Sequence, residues 1–252
     1  MSAPILYCGD PHGEFGHIID AAQRTNASAV VLLGDLEPAR PLDLELGPLL
    51  ERNVPTWFIH GNHDTDSDDV WHRIWGSKVA DRNIHRRVVE LPDCTQLAGL
   101  GGVFRESVWH PSAAGAPSFR TRAAHIAATP RQDRWEGTGT HRKHWSSIYP
   151  EDVEWLSNQR TDILITHEAP GYHQHGVALL DDLARSMHAR VVVHGHHHDR
   201  LDSRAAWPDQ GFASVGVGLR GITAISIRAN VVDVDVVRPG DLDEARHRRR
   251  GG

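Results

Sequence analysis

Short apolar runs in this chain keep ending in the same way, on a turn that carries Asp, Asn or His, nearly always beside a glycine. Ile5–Cys8 runs into Gly9-Asp10-Pro11-His12-Gly13, and residues 29–33 run into Gly34-Asp35. Residues 54–59 lead to His60-Gly61-Asn62-His63-Asp64, and residues 162–166 to His167-Glu168. Residues 190–193 lead to His194-Gly195-His196-His197-His198-Asp199. Runs of this length, crowded with β-branched residues and bounded by turn formers, read as buried strands. Helical stretches separate the first three: residues 18–24, then residues 42–52 with Leu44, Leu46, Leu49 and Leu50 as the apolar face. Strand–helix–strand repetition implies parallel strands with right-handed crossovers. Parallel strands place their C-terminal ends on one edge of the sheet, where open α/β folds bind ligands. An α/β fold thus converts distance along the chain into convergence in space.

The rest of the chain fits around that frame. Residues 65–84 read as a polar loop with a short helix, and residues 88–91 and 95–103 as strands. Residues 150–156 begin a helix, with Pro150 at its start and acids in its first turn. Residues 177–187 continue as another. Residues 212–237 are β-rich, and Val231 to Val237 alternate cleanly, as a half-exposed antiparallel or edge strand does. Between 104 and 145 the periodicity collapses. That stretch carries seven Lys or Arg against three acids, with Trp109, Trp135 and Trp145. A loop this long is usually functional or disordered, and it reads as an irregular insertion: either a cap whose arginines would meet substrate phosphate, or a solvated insertion or oligomer contact. Residues 240–252, with the basic run Arg246-His247-Arg248-Arg249-Arg250, read as a disordered tail. No repeat or second domain is visible, so 1–252 is taken as one domain.

The strand ends supply Asp10, His12, Asp35, Asn62, His167, His196 and His198. On an extended chain, residues two apart point to the same side, so Asp10 and His12 can reach one cation, and His196 and His198 likewise share a side. Two carboxylates, one amide and four imidazoles are too many for a single tetrahedral zinc. They suit two cations sharing a bridging carboxylate, a recurring solution for phosphate-ester hydrolysis in which an activated water attacks phosphorus in line. The departing oxygen then needs a proton, which gives His63 a task away from the cations.

In order, these blocks resemble the signature blocks of the calcineurin-like metallophosphoesterases. The resemblance implies a four-layer α/β/β/α sandwich with the metals at the strand ends. It implies that Asp10, His12 and His198 hold one ion, that Asn62, His167 and His196 hold the other, and that Asp35 bridges. His63 would be the proton donor or transition-state stabiliser, with Asp64 fixing its ring. The chain also departs from the pattern of relatives that act on phosphoproteins or dinucleoside tetraphosphates. Leu36-Glu37-Pro38 follows Asp35 where those carry a second Asp and Arg-Gly, and His60 stands where they carry Arg. His194 and His197 exceed the pattern and are expected to support the ligands or to be solvated, with His197 pointing away from its neighbours.

The expected activity is hydrolysis of a small phosphodiester, phosphomonoester or nucleotide. Nitrogen-rich ligation favours manganese, with iron or zinc as alternatives. A nuclease is the second reading, disfavoured by the net charge of −6 and by the lack of a duplex-binding module. A non-catalytic scaffold of the same fold is the third, opposed by the retention of the whole donor set. Two cysteines, Cys8 and Cys94, cannot build a disulfide framework. No signal peptide and no apolar run of the ~20 residues needed for a spanning helix is visible, so a cytoplasmic protein with no membrane partner is expected.

Overall fold

The computed structural model describes residues 3–229 and 231–243. Among these residues ten strands form two sheets, ordered β10-β9-β1-β2-β3 and β4-β5-β6-β7-β8. In the first sheet β1 (Ile5–Cys8), β2 (Ala29–Leu32) and β3 (Thr56–Phe58) run parallel. In the second, β4 (Arg87–Glu90) is antiparallel to β5 (Gln96–Leu100). The strands β5, β6 (Ile163–Thr166), β7 (Val191–His194) and β8 (Ala213–Gly216) are parallel throughout. The chain then returns to the first sheet as β9 (Ile222–Arg228) and β10 (Val231–Arg238), both antiparallel additions. The strand expected over 95–103 stops at Leu100, because Gly101 and Gly102 turn the chain away, the latter at φ +88.

Side-chain alternation builds four layers. Ile5, Tyr7, Val31 and Leu33 point from the first sheet into a core shared with Leu97, Ile163, Ile165, Val191 and Val193 of the second. The intervening Leu6, Cys8, Val30 and Leu32 pack outward on helices α1 (Gly16–Thr25), α2 (Leu42–Glu45) and α3 (Gly47–Glu51). Helix α4 (Asp68–Trp75) closes the same face, with Ser67 capping its Val70 amide. On the far side Ala98, Leu100, Leu164 and Val192 meet α6 (Pro150–Ser157) and α7 (Ala178–Ser186). The order α/β/β/α agrees with the expected sandwich. Strands buried on both faces explain the unbroken apolar runs in the sequence.

Three expectations need correction. The helix expected over 42–52 is two short helices, because Pro48 lacks an amide hydrogen and its ring clashes with the preceding turn. Leu44, placed on the apolar face, is 52% exposed. Residues 240–243 are tied down rather than trailing. The Asp243 carboxylate accepts from the Gly240 and Arg200 amides, and Asp241 pairs with Arg220 and Arg238. The basic run Arg246 to Arg250 lies outside the described residues.

The irregular insertion contains α5 (Arg122–Ala128), capped by Thr121, and otherwise single turns. It folds back onto the loop after β3. Arg142 donates to the Thr65 and Asp66 carbonyls and pairs with Asp68, and Trp71 and Trp75 pack against Trp145. A further short helix, α8 (Trp207–Gln210), precedes β8. Among the described residues, no helix is long and apolar enough to cross a membrane.

Candidate metal centre

Each expected donor leaves the C-terminal end of a strand. Asp10 and His12 follow β1, Asp35 follows β2, Asn62 and His63 follow β3, His167 follows β6, and His196 and His198 follow β7. The backbone is bent hard to aim them. Asp10, His12, Asp35, Glu37, His196 and His198 all have positive φ without being glycine, at angles from 36 to 68 degrees. Such conformations cost free energy and concentrate where function requires them. The glycines in the motifs have a related cause. A Cβ on Gly61 would lie 2.2 Å from Asp35 Oδ1, and one on Gly195 would lie 2.6 Å from Asp10 Oδ1.

The side chains meet in two triads, His12–Asp35–His198 and Asp35–His167–His196, whose ligand atoms lie within 4.8 Å of one another. Asp35 belongs to both. Its Oδ1 accepts the His63 amide at 2.9 Å, and Oδ2 is 3.3 Å from His167 Nε2. Burial pushes the Asp35 carboxyl up, but the His167 imidazole and the His63 amide outweigh it and hold the carboxyl below its ordinary range. His167 Nδ1 donates to the Leu33 carbonyl at 2.8 Å, which turns Nε2 toward Asn62 Oδ1 at 3.1 Å. Asn62 thereby joins the second triad.

Asp10 is fully buried. Its Oδ1 accepts the His196 amide at 3.1 Å, and its Oδ2 has no hydrogen-bond partner. Burial raises its pKa to about 7 against the pull of His167. His12 Nδ1 pairs with the Glu37 carboxylate, and its Nε2 faces His198 Nε2 at 3.0 Å.

This donor set fits cations. His167 Nε2, Asn62 Oδ1 and Asp35 Oδ2 are acceptors turned on one another, and the facing imidazole nitrogens of His12 and His198 repeat the conflict, while Asp10 lies outside both triads with its Oδ2 buried and unpartnered. A positive charge at each convergence point resolves it. A proton can take that place on His167: burial lowers its pKa, yet Asp35 and Asp10 raise it to about 10. His196 goes the other way, drawn down to about 3 by burial and by His167, so it stays a neutral imidazole suited to ligation.

His63 sits beside the triads, its ring 5.6 Å from that of His12. Asp66, not Asp64, meets the ring, with its carboxylate 2.6 Å from His63 Nδ1. The 3-10 turn His63–Thr65 brings position i+3 under the imidazole and turns position i+1 inward. Burial lowers the His63 pKa, but Asp66 and Asp35 outweigh it and raise it overall. Asp64 instead ties two loops together. Its carboxylate accepts the amides of Leu36 at 2.7 Å, Glu37 at 3.0 Å and Gly61 at 2.8 Å. Burial and the Asp35 charge push its pKa up to about 7, against those amides. Replacing Asp64 by alanine leaves three amides unmet and is expected to cost about 3 kcal/mol, or about 6–12 °C in Tm for a chain of this size. Thermal denaturation of the variant measures this.

Neither extra histidine is solvated. His194 is fully buried, donating from Nδ1 to the Gly195 carbonyl and accepting at Nε2 from the Tyr172 hydroxyl at 2.7 Å. His197 is half-buried and stacks on His173 at 4.1 Å, and, contrary to the expectation that it points away from its neighbours, it forms a third close group with Glu168 and His196. Sequence reasoning misses Glu37, Asp66 and Glu168. Each lies within three residues of an expected site residue, and that adjacency is the one signal the sequence offers for them.

Residues 3–200 match the family described as calcineurin-like phosphoesterase. An uncharacterized protein of Haemophilus influenzae is 38% identical over 218 residues, covering 86% of this chain and 92% of that one. The crystal structure of TT1561 of Thermus thermophilus superposes with a TM-score of 0.58 at 18% identity, over 94% of this chain and 100% of that chain. At that identity the likeness speaks for the fold.

Proposed function

The chain belongs to the calcineurin-like phosphoesterase family, and from that premise we propose that it hydrolyses a small phosphodiester or phosphomonoester, a nucleotide included, with two divalent cations. The observation that carries this reading is the pair of triads sharing the Asp35 carboxylate. Asp10, His12 and His198 would hold one ion, Asn62, His167 and His196 the other, and Asp35 both. Manganese suits this mixture of imidazole and oxygen donors, with iron or zinc next. When bound, the cations supply charge neutralisation at phosphorus and a more acidic water.

The chain's own groups do the rest. His63 is not a member of either triad and is free to protonate the leaving oxygen. Asp66 holds its Nδ1–H, which fixes the ring and leaves Nε2 for the substrate. Glu37 plays the corresponding part for His12, orienting the ring so that Nε2 can ligate. Glu37→Ala is expected to weaken the ion held by His12 and His198 by about 10- to 100-fold, leaving the other ion in place; metal titration followed by elemental analysis reads this. Both thiols are free, Cys8 buried and Cys94 exposed, which is consistent with a cytoplasmic location.

The test is metal analysis together with turnover of bis-p-nitrophenyl phosphate and p-nitrophenyl phosphate. Two ions per chain with Mn²⁺-dependent release of p-nitrophenol is the expected result. Two ions without turnover of either ester or of a nucleotide panel would favour a binding scaffold.

A further inference from the structure

The insertion carries an arginine whose setting its own fold does not explain. Arg105 lies just past β5 and is half-buried. Its NH2 donates to Ser146 Oγ at 3.1 Å, while its Nε is buried without a hydrogen-bond partner. No carboxylate lies within ion-pair distance of it among the described residues. A guanidinium taken out of water without an anion is costly, and proteins ordinarily pair it. The other arginines of the insertion are accounted for. Arg120 pairs with Glu154, Arg142 pairs with Asp68, Arg122 donates to the His144 and Ser147 carbonyls, Arg134 donates to Thr129, and Arg131 is exposed.

The backbone around Arg105 is tied to the metal centre. The Gly102 amide donates to the His60 carbonyl at 2.7 Å, one residue before the Gly61 loop. The Phe104 amide donates to Glu168, next to His167, at 2.9 Å. Ser146, which receives the guanidinium, shares a 2.8 Å hydrogen bond with Thr65 of the His63 turn. The guanidinium is thus held between the third and fourth donor loops, within electrostatic reach of Asp66, Glu168 and Asp35. Its planar fork still has unused donors, the arrangement that matches a phosphoryl group.

We propose that Arg105 is a substrate-binding residue of this centre, whose guanidinium grips a non-bridging oxygen of the substrate's phosphoryl group. The role rests on the phosphoesterase reading for its substrate, but phosphate binding tests it without turnover. Calorimetric titration of inorganic phosphate into the Mn²⁺-loaded protein is expected to show a dissociation constant about 10- to 100-fold higher in Arg105→Ala. Arg105→Lys should recover part of that loss, and metal content should stay unchanged in both. With an active ester, KM should rise more than kcat falls. Should Arg105→Ala not fold, Arg105→Gln, which keeps the stem and a donor for Ser146 but no charge, decides in the same way. Unchanged phosphate affinity, a loss that tracks loss of metal, or no phosphate binding by the native protein would overturn the proposal. Phosphate binding that depends on Arg105 in a protein that hydrolyses no ester would leave it standing and count against the phosphoesterase reading alone.

Discussion

Asp35→Ala is expected to empty both cation positions at once. Asp35 is the one carboxylate common to the two triads, so on the proposed two-ion centre its loss would remove a ligand from each ion and the charge that would let two dications sit side by side. The damage extends past the metals. The His63 amide loses its acceptor, and His167, whose pKa Asp35 helps to raise, is left buried beside Asp10 alone. Elemental analysis after loading with Mn²⁺ should fall from two ions per chain to fewer than one, and turnover by at least about 10³-fold. Asp35→Asn keeps an acceptor for the His63 amide but not the charge. It should therefore fold more stably than the alanine variant and still fail to hold the pair. One ion lost with the other fully retained would mean that Asp35 serves one site only.

His63→Ala should give the opposite profile, with both ions kept and most of the turnover gone. The ring lies outside both triads, so metal content has no reason to change. A positioned general acid is worth about 10²–10⁴ in rate. The loss should depend on the leaving group. A p-nitrophenolate departs without needing a proton, whereas an alkoxide requires one, so the deficit should be smallest with p-nitrophenyl esters and largest with alkyl or nucleoside esters. An equal deficit across leaving groups would assign His63 to charge stabilisation rather than proton transfer. Normal turnover with all esters would remove it from the mechanism.

The donors are legible in the sequence because two regularities combine there. Apolar runs mark the strands, and a parallel arrangement obliges strand ends to share an edge, so Asp10, Asp35 and Asn62 can be brought together without coordinates. His167, His196 and His198 are found by the same strand-end pattern, but which ion each would meet is implied by resemblance to a family, since the pattern of residues does not say how a second sheet is placed against the first. What stays hidden depends on turn geometry and on packing between distant segments. The choice of Asp66 over Asp64 as partner to His63 depends on a 3-10 turn three residues long. The pairing of Glu37 with His12 depends on a left-handed kink at Glu37 that places the second loop against the first. Residues 42–52 read as one helix because leucine spacing outweighs a single proline, and the proline wins in the folded chain. The insertion gives no periodic signal at all. It is held by hydrogen bonds and tryptophan contacts to the loop after β3, contacts that no local pattern encodes.

The sharpest single measurement is anomalous diffraction from crystals of the Mn²⁺-loaded protein. Two peaks about 4 Å apart, with the Asp35 carboxylate between them, are expected. A lone peak, or two peaks with Asp35 bound to neither or to one, would dismantle the shared-carboxylate centre and the chemistry built on it.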